Sequence, residues 1–182
     1  MKAWRVMIMA LAMLLLNGCL VTFTEPLPET QAAPKGLLGT WSSKDAWGEA
    51  QNLIIRSDGK NRYTAVSYPK AKPKEREAHP FTVTRHGIRW YASAQVPASK
   101  GGNYVLAGFE LTDKNELVIY ELDLEQIKQA IAQSNLSGDV VETGDGSTVV
   151  VNSPATGVFA YLDDPANSDV FVEVARYQRV TQ

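Results

Sequence analysis

From Gly39 onward the chain is a run of short segments in which apolar and polar residues alternate, each ended by turn-forming residues, and that pattern admits little other than an antiparallel β fold. Residues 52–57 stop at Asp58-Gly59, a hairpin signal, and residues 61–68 pair back across it. Phe81-Thr82-Val83-Thr84 alternates strictly, and His86-Gly87 turns the chain. Ile88, Trp90 and Ala92 then face one way while Arg89, Tyr91 and Ser93 face the other. Residues 103–111 and 116–122 flank Thr112-Asp113-Lys114-Asn115 as a further hairpin, and residues 139–142 and 147–151 bracket Gly144-Asp145-Gly146 as another. Residues 174–180 close the chain as a last strand.

The hairpin at 103–122 carries apolar groups on both faces, so it requires a cover. Asp123 and Gln126 have capping-box spacing, and Leu124, Ile127 and Ile131 recur at helical intervals, which predicts a helix over 124–133. Pro154 at a first helical position, with Val158, Phe159 and Leu162 on one side, predicts a second over 154–162. About seven to nine strands with short connections and two small helices suggest a mainly β domain over residues 37–182. Its expected form is an antiparallel up-and-down meander closing into a small barrel, with a β-sandwich as the alternative.

The amino terminus has a different character. Lys2 and Arg5 precede an all-apolar stretch at 6–16, and Asn17-Gly18 lead to Cys19, the only cysteine of the 182 residues. Such a stretch rises roughly 16 Å as a helix, about half a hydrocarbon core, so it suits an export signal better than a membrane span. Leu16-Asn17-Gly18-Cys19 resembles the lipobox of bacterial lipoproteins. That resemblance implies removal of residues 1–18 as a signal peptide, acylation of Cys19 (palmitate included) as the first mature residue, and attachment to a membrane through the acyl chains. The residue after Cys19 is Leu20 rather than the Asp that marks inner-membrane retention, which favours the periplasmic face of the outer membrane over the inner membrane. With one cysteine there is no intramolecular disulfide. Pro26, Pro28 and Pro34 within residues 19–36 suggest a flexible tether of up to about 50 Å; a first strand at 21–24 is the alternative.

Loss of Lys2 and Arg5 with the leader lowers the 18 basic residues to 16 against 20 acidic, a balance that argues against nucleic acid as a partner. No zinc-protease, nucleophile-elbow or phosphate-loop motif is present, so neither a catalytic residue nor a metal or other cofactor is expected. His79 before Pro80 and His86 before Gly87 fit turns. Asp163-Asp164 and Gly144-Asp145-Gly146 fit helix ends and turns better than cation sites. Lys70, Lys72, Lys74 and Arg76, interleaved with Glu75 and Glu77, fit a solvated hairpin tip.

Gly39-Thr40-Trp41 at the first domain strand, a series of hairpins, and arginines near the end resemble the lipocalin and wider calycin barrels. By that resemblance Trp41 packs at the closed base of a barrel, with Arg176 or Arg179 over its face. The two helices set among the later strands depart from that family's order. Two functions fit such a domain. One is binding of a small apolar ligand inside the barrel, for which Tyr63, Trp90, Tyr91, Tyr104, Phe109 and Tyr120 are the expected lining. The other is a solid barrel that contacts another envelope component.

Overall fold

A computed structural model describes residues 20–29, 31–44, 48–143 and 146–180. The leader, Cys19 and Gly144-Asp145 lie outside the described residues. Within them, seven strands follow one another as antiparallel neighbours: β2 (Gly39–Lys44), β3 (Ala50–Gly59), β4 (Arg62–Pro69), β5 (Glu77–His86), β6 (Arg89–Gln95), β7 (Tyr104–Leu111) and β8 (Glu116–Leu122). The eighth, β11 (Phe171–Arg179), pairs with both β8 and β2 and closes the ring. The result is a closed eight-stranded antiparallel barrel, and closure sets aside the sandwich alternative. The β3–β4 turn falls two residues later than expected. Lys60 and Asn61 take the left-handed positions (φ 47° and 60°) and Gly59 pairs with Arg62, because a two-residue hairpin needs positive φ at both central residues.

Between β8 and β11 lies an insertion that belongs to no barrel strand. Helix α1 (Leu124–Ala132) starts on Asp123, whose carboxylate accepts the Gln126 backbone N–H at 2.9 Å. Strands β9 (Gly138–Thr143) and β10 (Gly146–Val151) form the expected hairpin. Helix α2 (Ala155–Asp163) then runs into a 3-10 turn at Pro165–Val170. Residues 20–29 and 31–36 are not a free tether. Leu20–Phe23 form β1, which pairs in parallel with β10 and touches β7 at Tyr104. Phe23 and Leu27 are buried, Thr84 donates its hydroxyl to the Pro28 carbonyl at 2.6 Å, and the Ala33 N–H donates to the Tyr63 hydroxyl at 2.8 Å. Burial of Phe23 and Leu27 outweighs the proline-rich composition that suggested a mobile linker.

Two cores share the wall β6–β8. One fills the barrel with Trp41, Tyr63, Phe81, Val83, Phe109, Leu117 and Tyr177. The other lies outside, where Tyr91, Leu106 and Leu122 are covered by Phe23, Ile127, Val149, Phe159 and Val170. The cover required by the two-faced β7–β8 hairpin is thus built from β1, β10 and both helices.

Candidate functional site

The lower end of the barrel, where β2 begins and β11 ends, is closed. Trp41 is 1% exposed and donates Nε1–H to the Leu37 carbonyl at 3.0 Å. The Arg179 guanidinium lies 4.1 Å from the Trp41 ring centroid, and it donates to the carbonyls of Leu38 (2.7 Å) and Gly36. Gly39 is there because the arginine is: at φ +131° a Cβ would run into Arg179 Nη1. Arg176, the other candidate, is placed elsewhere. It sits on the barrel's outside, ion-paired with Glu116 at 2.7 Å and Glu173 at 2.8 Å. These partners raise its already high pKa, the hydrogen bonds to Glu173 acting most strongly.

Toward the opposite end the barrel is hollow. A cavity of about 70 Å³ lies among Ala65, Ala92, Ala94, Ala107, Val105 and Ile119, with Leu53, Phe81 and Phe109 below. In a barrel of this strand number the side chains just fill the interior, so four inward alanines leave a void. Two polar groups face it. Ser67, on β4, is buried and its hydroxyl makes no hydrogen bond among the described residues. His79, on β5, has a buried Nε2 that lies 3.6 Å from Glu77 Oε2, too far for a hydrogen bond. His79 is therefore an inward strand residue and not a turn. Its pairing opposite Ala65, and that of Ser67 opposite Glu77, puts the two side chains diagonally adjacent on the inner wall.

Of the six expected lining residues, only Phe109 borders the cavity. Tyr63 fills the barrel below it, held by Ala33 and tilted against Phe81. Trp90 stands at the lower rim, its ring centroid 6.0 Å from that of Phe109. Tyr91 and Tyr104 point outward into or against the second core, and Tyr120 lies on the outer wall with its hydroxyl 3.4 Å from Glu110. The reason is register: on each strand the period of two sends neighbours to opposite faces, so Trp90 and Tyr91 could never line the same space. Burial, with Asp163 next in effect, pushes the Tyr91 phenol up to about 12, and its hydroxyl has no hydrogen-bond partner among the described residues.

The remaining polar features hold elements together. His86 Nδ1 approaches Asp163 Oδ2 to 2.7 Å and its ring stacks on Phe159 at 4.0 Å, which clips the β5–β6 turn to the end of α2. In the basic loop, Lys72 pairs with Glu75, and the Arg76 guanidinium lies 4.5 Å over the Tyr68 ring. Among the described residues, no group of three or more His, Cys, Asp or Glu is placed to hold a metal ion. None of their helices is long and apolar enough to cross a membrane. Known protein families, curated proteins and solved structures provide no match to this chain.

Ser67, His79 and the alanines escaped the sequence reading, which sought aromatics. The signal was present. Ala65-x-Ser67 on β4, Ala92-x-Ala94 on β6 and Ala107 on the adjoining β7 put small residues on the inward phase of three barrel strands, with β5 between the first and the other two.

Proposed function

We propose that this protein is a lipid-anchored envelope protein, without catalytic chemistry of its own, whose barrel holds one slender apolar ligand. The observation that carries the ligand reading is the alanine-lined cavity with the unsatisfied Nε2 of His79 and the side chain of Ser67 on its wall. An apolar void need not hold anything, but polar atoms facing it without partners call for a bound group. At about 70 Å³ the space is roughly half that of an engineered cavity that takes benzene, and far below the several hundred Å³ of drug-sized sites. A short unbranched alcohol of about two or three carbons, apolar with a small hydrogen-bonding head, suits those dimensions. Titration of 1-propanol into the full chain, followed by NMR, is expected to shift the methyls of Ala92, Ala94 and Ala107 saturably. Ala94→Leu, which fills the void, is expected to abolish the shifts. Absence of saturable shifts, or shifts that survive the filled cavity, would refute the reading.

The anchor rests on Leu16-Asn17-Gly18-Cys19 and the apolar leader before it. Acylation at Cys19, next to the first residue of β1, would hold the barrel against the bilayer with no intervening linker. Metabolic labelling with a fatty acid is the test: label is expected on the wild-type chain and absent from Cys19→Ser. The outer membrane's periplasmic face is the proposed address, from Leu20 after the cysteine. A second reading, contact with another envelope protein, draws support from β9. This strand ends the sheet order with only β10 beside it, and Val140 and Val141 are both exposed.

A further inference from the structure

A second concave site lies on the outer wall, separate from the cavity. The groove measures about 640 Å³, within the range of small-molecule sites, and runs over β6, β7 and β8 to the start of β11. Gly108 is its floor. A Cβ there would meet the Phe171 ring at 3.6 Å and the Tyr120 Cβ at 3.7 Å, so the missing side chain leaves a slot between two aromatic residues. Trp90 borders this surface at the barrel rim, and Ile88, 89% exposed, stands at its edge.

The charge in the groove selects the ligand. Arg89 borders it with its guanidinium 4.3 Å from the Phe171 ring centroid, and it forms no ion pair among the described residues. The carboxylate of Glu110, the other charged lining group, instead lies 3.4 Å from the Tyr120 hydroxyl. Placed over Phe171, the arginine keeps its N–H fork unused, the group that receives a carboxylate bidentately. We propose that this groove binds a small planar carboxylate, its ring over Gly108 between Phe171 and Tyr120 and its acid group on Arg89. The volume suits one small molecule, and the single unpaired cation suits one acidic group.

The test uses 2-naphthoate and its neutral counterpart 2-naphthalenemethanol, titrated calorimetrically into the full chain. Saturable binding of the acid is expected, with the alcohol weaker by about tenfold or more, the loss that removal of one charge-assisted contact produces. Arg89→Gln is expected to bring the acid down to the level of the alcohol, and Arg89→Lys to restore only part of the difference. Gly108→Ala, which makes only ordinary van der Waals contacts, is expected to weaken both compounds by narrowing the slot. Ala94→Leu, inside the barrel, is expected to leave naphthoate binding unchanged. Equal binding of acid and alcohol to the wild-type chain, absence of saturable binding, or acid binding unaffected by Arg89→Gln would each overturn the proposal. The wild-type comparison decides even where a variant fails to fold.

Discussion

Replacement of Trp41 by alanine is the most informative perturbation of this fold, because the indole joins the barrel base, the incoming strap and the last strand. The side chain is 1% exposed, so its deletion costs about 3–5 kcal/mol in lost transfer energy and residual cavity. The Leu37 carbonyl loses the 3.0 Å bond from Nε1, which adds about 1 kcal/mol. The total is a large share of the ~5–15 kcal/mol that holds a domain of this size together. Trp41→Phe keeps a ring under Arg179 and gives up the Nε1 donor and part of the volume, so it should cost about half as much or less. Arg179→Gln should cost about 1–2 kcal/mol, since it removes the cation from the ring and weakens the bonds to Gly36 and Leu38. In the double variant Trp41→Ala/Arg179→Gln the losses should fall short of additivity by about 0.5–2 kcal/mol, the part of each that belongs to the shared contact. Urea unfolding of the full chain, with midpoints and slopes compared across the wild type and the four variants, measures all of these. A Trp41→Ala cost below about 1 kcal/mol, or strict additivity, would refute the account of the base.

Gly39→Ala should destabilise by about 1–3 kcal/mol, because φ +131° suits only glycine and the new methyl would meet Arg179 Nη1; an unchanged melting temperature would contradict this. The hydrogen bond from Gln178 to Glu116, followed by those from Thr112 and Arg176, holds the Glu116 carboxyl below its ordinary range. Its contribution is therefore complete above the unfolded pKa and lost as pH falls through the lower folded value. NMR titration of the carboxyl should find that low midpoint, and Glu116→Gln should lessen the loss of stability on acidification. Tyr91 and Tyr177 have phenols pushed from 10.0 up to about 12, chiefly by burial, so their share of stability is present below pH 10 and lost as pH rises toward 12. Each is worth on the order of 2–3 kcal/mol over that window, and Tyr177→Phe should shift the alkaline unfolding midpoint upward; an unmoved midpoint would count against the burial argument.

The barrel was legible in the sequence where local chemistry decides structure. Alternation in residues 81–84, the two-faced apolar run at 103–111, the turn residues at 112–115, and Asp123 before a helical period all sit in the elements they predict. What failed were inferences from composition. Prolines at 26, 28 and 34 suggested a linker, yet three prolines do not prevent Phe23 and Leu27 from burying, and the strand pairing of β1 with β10 joins segments more than a hundred residues apart. The parallel sense of that pairing has no local signature, since nothing within residues 20–23 specifies which distant edge they meet. His79 was misplaced for a related reason. The Pro80 beside it suggests a turn, whereas β5 runs through both residues. The site was less legible than the fold because its residues are defined by what they lack: alanines that leave space and a glycine that leaves a slot.

The same alternation that hides the site also explains why two sites coexist on one wall. Strands β6, β7 and β8 bury both faces, so every step along them assigns one residue to the barrel and the next to the outer layer. On β7, Ala107 opens the inner cavity while its successor Gly108 opens the outer groove. On β6, Arg89 serves the groove and Ala92 the cavity. A one-residue slip in the β6–β7 register would turn both inside out and bury Arg89 among apolar side chains, a cost of several kcal/mol for an unpaired charge. That penalty holds the register where the small residues are, because Phe109 and Leu106 on the same strand fill their own cores on opposite sides. Occupants of the two sites would accordingly be separated by the thickness of a single sheet, and the filling of one space need not deform the other.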